Sequence, residues 1–391
     1  MEYKDSYDFP TRMNVSTSGG MSFTANENNF IDTKTGKAVP NYVAPAAADL
    51  YPALQRYLDA ISPYEDLITP GYFNFPDTAN IPEDLLMPFS QFVEKYDIAA
   101  AVPQLWDATV MGLGDPMNLP ALFTMQASGV PMVKALLGTA AAAVPASGRL
   151  YDLYESVANF LGDDVLYSST VSSATRKSTG KKDVSLKVKG ANGKTTCIEA
   201  KRLLIAIEPT PANMAPFDLD TTEKDVLGKF KFSTVYAGIL QHPSLQTLNL
   251  YSDRSAEPGS YNYTTFPVAS QLGSVGYLGD TEGLFQFTAV GTTDDTAESM
   301  QTLIGQSIDA MVEAGTLPAS EGALSFSKFA DHGHMHAHVT ADDLRAGFIQ
   351  KLNGLQGLRN TWYTGAAFSA GFSTVLWEYN KILLPKLVEG L

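Results

Sequence analysis

The sequence predicts an α/β plus antiparallel sheet (α+β) fold, on three observations. The opening third contains amphipathic helical patterns such as 44–61, in which Leu50, Leu54 and Leu58 fall on one side. The middle part has short apolar or alternating segments between Gly, Pro and Ser turns, as antiparallel strands do. The end, from 341 to 388, returns to the order helix, strand, glycine, helix. The length of 391 residues favours about two domains.

The predicted helices and strands occur in three successive parts of the chain. Helices in the opening third, including 81–96 and the segment up to Leu137, form a helical lobe. Ala-Asn-Gly at 191–193 separates two alternating segments and predicts a β-hairpin. The other predicted elements are a helix at 150–161, strands at 164–171, 184–189 and 201–207, short β segments from 229 to 291, a helix at 341–355, a strand at 361–364 and a helix at 374–388.

Charge and cysteine content exclude several classes of function. The chain has 27 basic and 42 acidic side chains and a net charge of −15 at pH 7. Such a charge disfavours a nucleic-acid partner, because neutralisation of phosphates by Lys and Arg dominates that affinity. The single cysteine, Cys197, allows neither an internal disulfide nor a cysteine-based metal cluster. With a polar, acidic start and no apolar run of about 20 residues, we expect a soluble, cytoplasmic protein.

Common cofactor and hydrolase signatures are absent from the sequence. It contains no G-x-G-x-x-G, no G-x-x-x-x-G-K-[ST], no H-E-x-x-H and no G-x-S-x-G. The first of these normally cradles a dinucleotide diphosphate between a strand and a helix. The only early glycine pair, Gly19-Gly20, does not lie between a predicted strand and a predicted helix.

Several blocks of the sequence resemble one protein family. The carboxy-terminal blocks 360–368 and 373–387 resemble the strand, glycine and helix of flavin-containing amine-oxidase-like proteins, and more closely those of the fungal beta-cyclopiazonate dehydrogenase-like group. The resemblance covers most of the chain from about Tyr7 onward. Five further blocks match the same group in order, at 30–37, 81–96, 200–210, 215–220 and 354–357.

This resemblance implies an FAD-dependent amine-oxidase-like two-domain fold with a truncated Rossmann-type domain. Members of the family open with a strand, a G-x-G-x-x-G turn and a helix, which have no match here. We expect the N-terminal residues to refold over the resulting gap, the alternative being that the chain is an incomplete fragment. The implied domains are a remnant FAD-type α/β domain at 1–45, 146–214 and 356–391, the helical lobe at 46–145 and an antiparallel-sheet substrate domain at 215–355.

The missing glycine-rich turn leads us to expect no cofactor, because FAD would lose its main phosphate anchor. The alternative is a retained flavin, which the family's carboxy-terminal turn would approach. In this sequence that turn is Thr364, Gly365, Ala366 and Ala367. A purely structural interpretation is also open, in which the glycine only completes a strand-to-helix junction.

The segment from Asp331 to Val339 carries His332, His334, His336 and His338, four of the five histidines of the chain. In a regular β-strand all four side chains would lie on one face. Three interpretations stay open: no role, proton shuttles or hydrogen-bond donors to a substrate, or a metal site. We expect no metal, because the sequence has no cysteine cluster and no obvious acidic partner spacing. His332 matches a histidine that the family often carries.

Two further candidates are single polar residues. The tripeptide Ile207-Glu208-Pro209 occupies a position where the family commonly has Ile-Pro-Pro. Glu208 is therefore either a new active-site carboxylate or a solvated loop glutamate. Tyr236 is a candidate hydrogen-bond donor in catalysis. Aromatic residues are expected to line an apolar substrate cavity, although most aromatic side chains belong to cores. The candidate substrate-binding residues are Trp362, Tyr363, Phe368, Phe285, Phe287, Tyr261 and Tyr263.

These observations favour a cofactor-independent isomerase or cyclase of fungal-type secondary metabolism, acting on a small hydrophobic metabolite. A pericyclase that performs a Diels–Alder-type cyclisation would need only a shaped cavity and a hydrogen bond to the substrate. The first alternative is an FAD-dependent oxidoreductase of the amine-oxidase-like family. The second is a non-catalytic protein that binds the same small molecules.

Overall fold

The computed structural model describes residues 4–19, 26–140, 143–177, 184–257, 261, 264, 266, 268–279 and 283–391. The strands are β1 Thr17–Gly19, β2 Glu27–Ile31, β3 Ala143–Pro145, β4 Ser169–Arg176, β5 Val184–Gly190, β6 Thr195–Ala200, β7 Leu203–Ile205, β8 Lys231–Gln241, β9 Asn249–Asp253, β10 Gln271–Tyr277, β11 Phe285–Gly291, β12 Ser325–His338 and β13 Thr361–Tyr363. The α-helices are α1 Lys4–Arg12, α2 Ala47–Ile61, α3 Glu65–Ile68, α4 Glu83–Leu86, α5 Phe89–Tyr96, α6 Val102–Leu105, α7 Ala121–Ala127, α8 Val130–Leu136, α9 Tyr151–Leu161, α10 Pro211–Met214, α11 Thr221–Leu227, α12 Ala297–Glu313, α13 Ala341–Arg345, α14 Phe348–Asn353 and α15 Ser373–Val388.

A six-stranded sheet in the order β12-β8-β11-β10-β9-β2 forms the centre of one half of the molecule. Its neighbours are antiparallel except for β2, which runs parallel to β9. Helix α12 covers one face, because Met300, Ile304 and Ile308 recur at helical spacing and are buried. Together with apolar strand residues they form a separate hydrophobic core.

The helical lobe contains α2 and α4 to α8, and it packs around a second core. Tyr57 of α2 is fully buried between Phe89 and Phe92, with ring centroids 6.3 Å from each. Its hydroxyl donates to the carbonyl oxygen of Ser128 at 3.1 Å, so the buried polar atom has a partner. The 3-10 turn Met111–Leu113 belongs to the lobe and packs against β8 and β12 of the sheet.

The third part of the structure consists of short sheets around β7 and β13. Strands β4, β5 and β6 form an antiparallel meander, and its β5–β6 pair confirms the predicted hairpin. Strands β7 and β13 form a parallel pair, and the helix α15 follows β13. The predicted order strand, glycine, helix at the end of the chain is therefore present. The predicted helix 341–355 is divided into α13 and α14, because Gly347 has a φ of 82°.

A buried arginine–carboxylate network, made of Arg176, Asp218, Glu223 and Arg359, joins these short sheets to α11. Arg176 and Glu223 are both fully buried and form a bidentate pair, with N–O distances of 2.6 and 2.9 Å. Arg176 also bonds Asp218 at 2.9 Å, and Arg359 contacts both carboxylates. Every charge in the network therefore has an opposite partner within the protein.

Within the described parts of the chain, no helix is both long enough and apolar enough to cross a membrane.

We expect the substitution Glu223→Gln to reduce the free energy of unfolding by about 3–5 kcal/mol, because it leaves the buried Arg176 without its bidentate partner. Chemical denaturation followed by circular dichroism measures this loss. The matched control is Asp342→Asn, which removes one exposed partner of Arg345 at 3.7 Å and should cost less than about 1 kcal/mol. Equal losses in the two variants would contradict the assigned role of the network.

Candidate active site

The candidate site begins at the carboxyl ends of the parallel strands β7 and β13. Here the chain forms the Gly365 turn, residues 364–368, which ends in a 3-10 turn at Ala366–Phe368. The amide of Thr364 donates to the carbonyl oxygen of Ile205 at 2.9 Å, and its hydroxyl bonds Asn380 at 2.7 Å. In α/β proteins, ligands bind outside the carboxyl ends of parallel strands. The Gly365 turn therefore lies where this kind of fold places a ligand.

Gly365 provides open space at this edge. Its φ of 114° and ψ of 176° belong to a region that only glycine adopts readily. A Cβ atom at this position would meet nothing nearer than the carbonyl carbon of Ala206, at 4.0 Å. The glycine thus shapes the backbone and leaves room beside it, which is what the approach of a ligand requires.

The three aromatic residues predicted to bind substrate around the Gly365 turn are all buried: Trp362, Tyr363 and Phe368. Tyr363 donates its hydroxyl to Glu223 at 2.6 Å and stacks on Phe368, with ring centroids 5.3 Å apart. The guanidinium of Arg202 lies 5.2 Å from the centroid of Trp362. These contacts support the turn from behind and connect it to the arginine–carboxylate network.

The histidine segment forms the end of β12, but its geometry differs from the expected regular strand. The pairing of β12 with β8 shifts between Asp331 and His334 and again between Met335 and His338. Gly333 and His336 both have positive φ angles, of 67° and 51°. The prediction that all four histidines share one face is therefore wrong, because these bulges interrupt the two-residue alternation.

His336 packs against the backbone of the lobe. A Cβ atom on Gly112 would lie 2.3 Å from the Nε2 atom of His336, so only glycine permits this contact. The hydroxyl of Ser233 on β8 donates to the carbonyl oxygen of Gly112 and holds the same turn. Burial lowers the pKa of His336 to about 4, with a smaller contribution from His338. The imidazole is therefore neutral at pH 7.

His338 is buried and has a defined tautomer. Its Nδ1 atom lies 2.8 Å from the carbonyl oxygen of His336, and since a carbonyl only accepts, Nδ1 carries the proton. Burial lowers the pKa of His338, which leaves Nε2 as a free acceptor in the neutral ring. His338 and Lys231 line a cavity of about 420 Å³ between β12 and the lobe. A neutral imidazole beside a cavity can accept or relay a proton.

The other two histidines have different surroundings. His334 meets the ring of Phe232 edge to face, with centroids 5.6 Å apart. His332 is exposed on the outer part of β12. Among the described residues, no group of three or more His, Cys, Asp or Glu side chains is placed to hold a metal ion. The segment therefore brings His336 and His338, but not His332, to the lobe.

Glu208 follows β7 at the same edge as the Gly365 turn. Its Oε2 atom is buried and has no hydrogen-bond partner, and burial raises the pKa of Glu208 to about 7. Its backbone carbonyl accepts from the amide of Thr210 at 2.8 Å and from the side chain of Asn213 at 2.9 Å. These surroundings are not those of the fully solvated loop glutamate that was one of the two alternatives.

Three residues predicted to face the site belong instead to the core beneath α12: Tyr236, Phe285 and Phe287. Tyr236 donates its hydroxyl to the carbonyl oxygen of Asp295 at 3.2 Å. The residues that alternate with the two phenylalanines, Gln286 and Thr288, line a cavity on the opposite face. The aromatic pattern indicated the right strand but the wrong face, because a strand changes face at each residue.

Tyr261 lines a cavity of about 690 Å³ next to α5, together with Phe266. Tyr263 lies outside the described residues. No pattern in the sequence singled out Gly112, Gln286 or Thr288. Only the polar alternation of β11 could have indicated the last two, whereas the role of Gly112 depends on a long-range contact.

Comparison with solved structures defines the fold. The fold is similar to that of a CLA-producing fatty acid isomerase from P. acnes, with a TM-score of 0.73 at 18% identity over 99% of this chain and 85% of that chain. A putrescine oxidase variant with redesigned cofactor binding has a TM-score of 0.59 at 12% identity, over 98% of this chain and 85% of that chain. These neighbours confirm the predicted α+β amine-oxidase-like fold.

Sequence comparison then defines the family, although no family model matches the chain. An FAD-dependent oxidoreductase of Apiospora sacchari is 31% identical over 369 residues, which cover 93% of this chain and 74% of that protein. Another, from Cochliobolus heterostrophus, is 30% identical over 98% of this chain and 78% of that protein. Beta-cyclopiazonate dehydrogenase of Aspergillus flavus is 29% identical over 86% of this chain and 70% of that protein. The chain belongs to the family of these fungal FAD-dependent oxidoreductases.

This membership confirms the family resemblance and corrects the expectation about the cofactor. The absence of a glycine-rich turn predicted a cofactor-independent protein, whereas the relatives are named FAD-dependent oxidoreductases. The open space beside Gly365 and the unpartnered oxygen of Glu208, both at the carboxyl ends of parallel strands, fit a bound group at this edge. The expectation of no cofactor was wrong because it rested on the G-x-G-x-x-G turn alone, which is only one part of an FAD site.

We expect His336 to make the stability of the protein depend on pH below 6.5. Its folded-state pKa of about 4 lies below the ordinary value of 6.5, so the unfolded chain binds the proton more tightly. The resulting stability is present above pH 6.5 and is lost as the pH falls towards 4. We expect His336→Gln to reduce the loss of unfolding free energy between pH 6.5 and pH 4 by about 2 kcal/mol.

Urea denaturation at pH 7.5, 6, 5 and 4.5 measures this effect. The control is His332→Gln, at an exposed position of the same strand. If His336→Gln loses as much stability on acidification as the unmodified protein, the histidine is not held neutral by burial.

Proposed function

We propose that this chain is an FAD-dependent oxidoreductase that acts on a small organic metabolite at the junction of the Gly365 turn, β12 and the lobe. The observation that carries the proposal is the Gly365 turn, with its glycine-only backbone and free space at the carboxyl ends of β7 and β13. Membership of a family of FAD-dependent oxidoreductases supports the same cofactor. When bound, FAD supplies an acceptor for two electrons.

The residues that would hold the flavin end of the cofactor are Thr364, Gly365, Ala366 and Ala367. Helix α15, Ser373–Val388, begins just beyond them. The sequence has no G-x-G-x-x-G, so we assign only the flavin end to described residues.

The substrate would lie against β12, which packs on both the 3-10 turn Ala366–Phe368 and the turn Met111–Leu113. His336 and His338 are neutral there, because burial lowers the pKa of each. Nε2 of His338 can take a proton from a substrate carbon or hydroxyl, while Nδ1 stays bonded to the carbonyl of His336. The protein thereby supplies position and a proton acceptor.

We expect added FAD to raise the melting temperature of the protein and Gly365→Ala to abolish the rise. A side chain at φ 114° is strained and occupies the space beside the turn. Stabilisation grows as RT ln(1 + [L]/Kd), so a shift of several degrees requires FAD well above its Kd. Differential scanning fluorimetry with 1 to about 500 μM FAD measures the effect.

The matched control for strain is Gly315→Ala, since Gly315 has a φ of 74° and no neighbouring atom within 4 Å of a Cβ. This variant should lose stability but keep its response to FAD. If neither the unmodified protein nor Gly315→Ala responds to FAD, the proposal fails. A response that survives in Gly365→Ala would place the cofactor elsewhere.

A second candidate is a redox-neutral reaction in the same site, either an isomerisation or a Diels–Alder-type cyclisation. The observation that favours the isomerisation is His338, whose Nε2 can return the proton that it accepts to another atom of the substrate. The name of the P. acnes neighbour, a fatty acid isomerase, agrees with such chemistry on this fold. A Diels–Alder-type cyclisation transfers no proton and would depend on the shape of the site alone.

Mass spectrometry of a turnover mixture distinguishes the two reactions. A product lighter by two hydrogens, formed with reduction of the flavin, supports the oxidoreductase. A product of unchanged elemental composition supports the isomerase or cyclase. For the oxidoreductase and for the isomerase we expect His338→Gln to lower kcat by about 10²- to 10⁴-fold, the range for loss of a general base.

A further inference from the structure

The two faces of the six-stranded sheet differ in polarity. The face beneath α12 is apolar and includes Tyr251, Phe285 and Phe287. On the opposite face, four strands border a space beneath the lobe with the apolar residues Phe30 and Leu250 and with polar residues: Asn28, Ser252, Ser274, Gln286 and Thr288. Asn28 and Gln286 are exposed and Ser252 is buried, so the space reaches from solvent to the interior.

This space is a cavity of about 380 Å³ between the sheet and the lobe, here called the polar cavity. Its roof includes Gln104, Asp107 and Met111. The volume lies within the range of small-molecule sites, but hydroxyl and amide groups make up much of its floor. The polar cavity therefore suits a group that forms hydrogen bonds.

Asp107 and Arg254 form a charged pair in the polar cavity. The nitrogen atoms of Arg254 lie 2.6 and 3.2 Å from the two carboxylate oxygens of Asp107. Arg254 is only 2% exposed, and its guanidinium lies 5.4 and 4.9 Å from the ring centroids of Phe30 and Tyr42. The side chain of Asp107 is 39% exposed. Arg254 is thus enclosed behind Asp107, and the carboxylate is the charged group that a ligand meets.

The chemistry of the polar cavity selects a neutral hydrogen-bond donor. The carboxylate of Asp107 and the hydroxyls of Ser274 and Thr288 accept hydrogen bonds. Because Arg254 already balances the charge of Asp107, a second cation gains little. An anion is disfavoured by the exposed carboxylate. A ligand that carries a hydroxyl or N–H group satisfies these acceptors without burying an additional charge.

The polar cavity lies far from the histidines but on the same face of the sheet. Four strand spacings of about 4.8 Å separate β12 from β9, or about 19 Å in all. The turn Met111–Leu113 links the two places, since Met111 lines the polar cavity and Gly112 touches His336. A substrate that occupies both must be elongated.

We propose that the polar cavity is a substrate subsite, and that the substrate is an elongated amphiphile whose hydroxyl- or N–H-bearing end binds at Asp107. The inference rests on the proposed function only in placing the other, reacting end of the substrate beside the histidines of β12. Binding of the polar end does not depend on turnover.

Isothermal titration calorimetry with simple alkyl probes tests the subsite without substrate or FAD. We expect 1-decanol to bind at least tenfold more tightly than 1-methoxydecane, which lacks the donor, and more tightly than decanoate, which is anionic. We expect 1-decanol to bind at least tenfold more tightly than 1-hexanol, because the longer chain buries more apolar surface along the covered face. Equal affinity for 1-decanol and 1-methoxydecane would overturn the subsite, and equal affinity for the two alcohols would overturn the elongated substrate.

Thr288→Val removes one acceptor without disturbing the Asp107–Arg254 pair, so it avoids the loss of folding that a change at Asp107 risks. We expect it to weaken 1-decanol binding about fivefold to tenfold. Thr195→Val, at an exposed position of β6, is the matched control and should leave the affinity unchanged. Unchanged affinity in Thr288→Val would overturn the assignment. Failure of FAD to bind, with the alkyl results intact, would remove the proposed function and leave the subsite in place.

Discussion

The bidentate contact between Arg176 and Glu223 determines where the candidate site lies. Both side chains are fully buried, and the pair joins β4 to α11. Tyr363 on β13 donates its hydroxyl to the same carboxylate, so the strand that leads into the Gly365 turn is fixed by the network. A buried ion pair contributes little net stability compared with apolar packing, but loss of one partner is costly. The network therefore acts mainly as a geometric constraint, which places β13 beside β7 and leaves Gly365 at their carboxyl ends.

The sequence predicted the parts of the fold that depend on local patterns. Helix α2, the β5–β6 hairpin and the order strand, glycine, helix at the end of the chain follow from apolar spacing and from turn residues, and each is present. The arginine–carboxylate network could not be predicted, because Arg176 meets Glu223 and Thr361 across 47 and 185 residues of chain. Nothing near any one of these residues indicates its partner. The break at Gly347 was also missed, because a glycine within a helical pattern does not by itself show a positive φ.

The strands near the site show a second limit of prediction from sequence. An alternating strand tells which residues share a face, but the choice of the buried face depends on what packs against it. In β11 the phenylalanines face α12, and Gln286 and Thr288 face the lobe. The prediction that the histidines of β12 share one face was wrong for another reason. A bulge depends on how two strands pair, and the sequence of one strand does not show that pairing. Gly333 and His336 take positive φ angles where β12 shifts against β8, and the alternation that placed four imidazoles together is lost there. The resulting site has two neutral histidines on the lobe.

Burial acts on Glu208 and on His336 in the same sense, towards the uncharged form of each side chain. It lowers the pKa of His336 to about 4 and raises the pKa of Glu208 to about 7. Desolvation disfavours whichever form carries a charge, so a histidine and a carboxylic acid shift in opposite directions. Near pH 7 the imidazole is unprotonated and Glu208 is close to half protonated. The chain's net charge of −15 is thus no guide to the site, whose electrostatics are set by local burial.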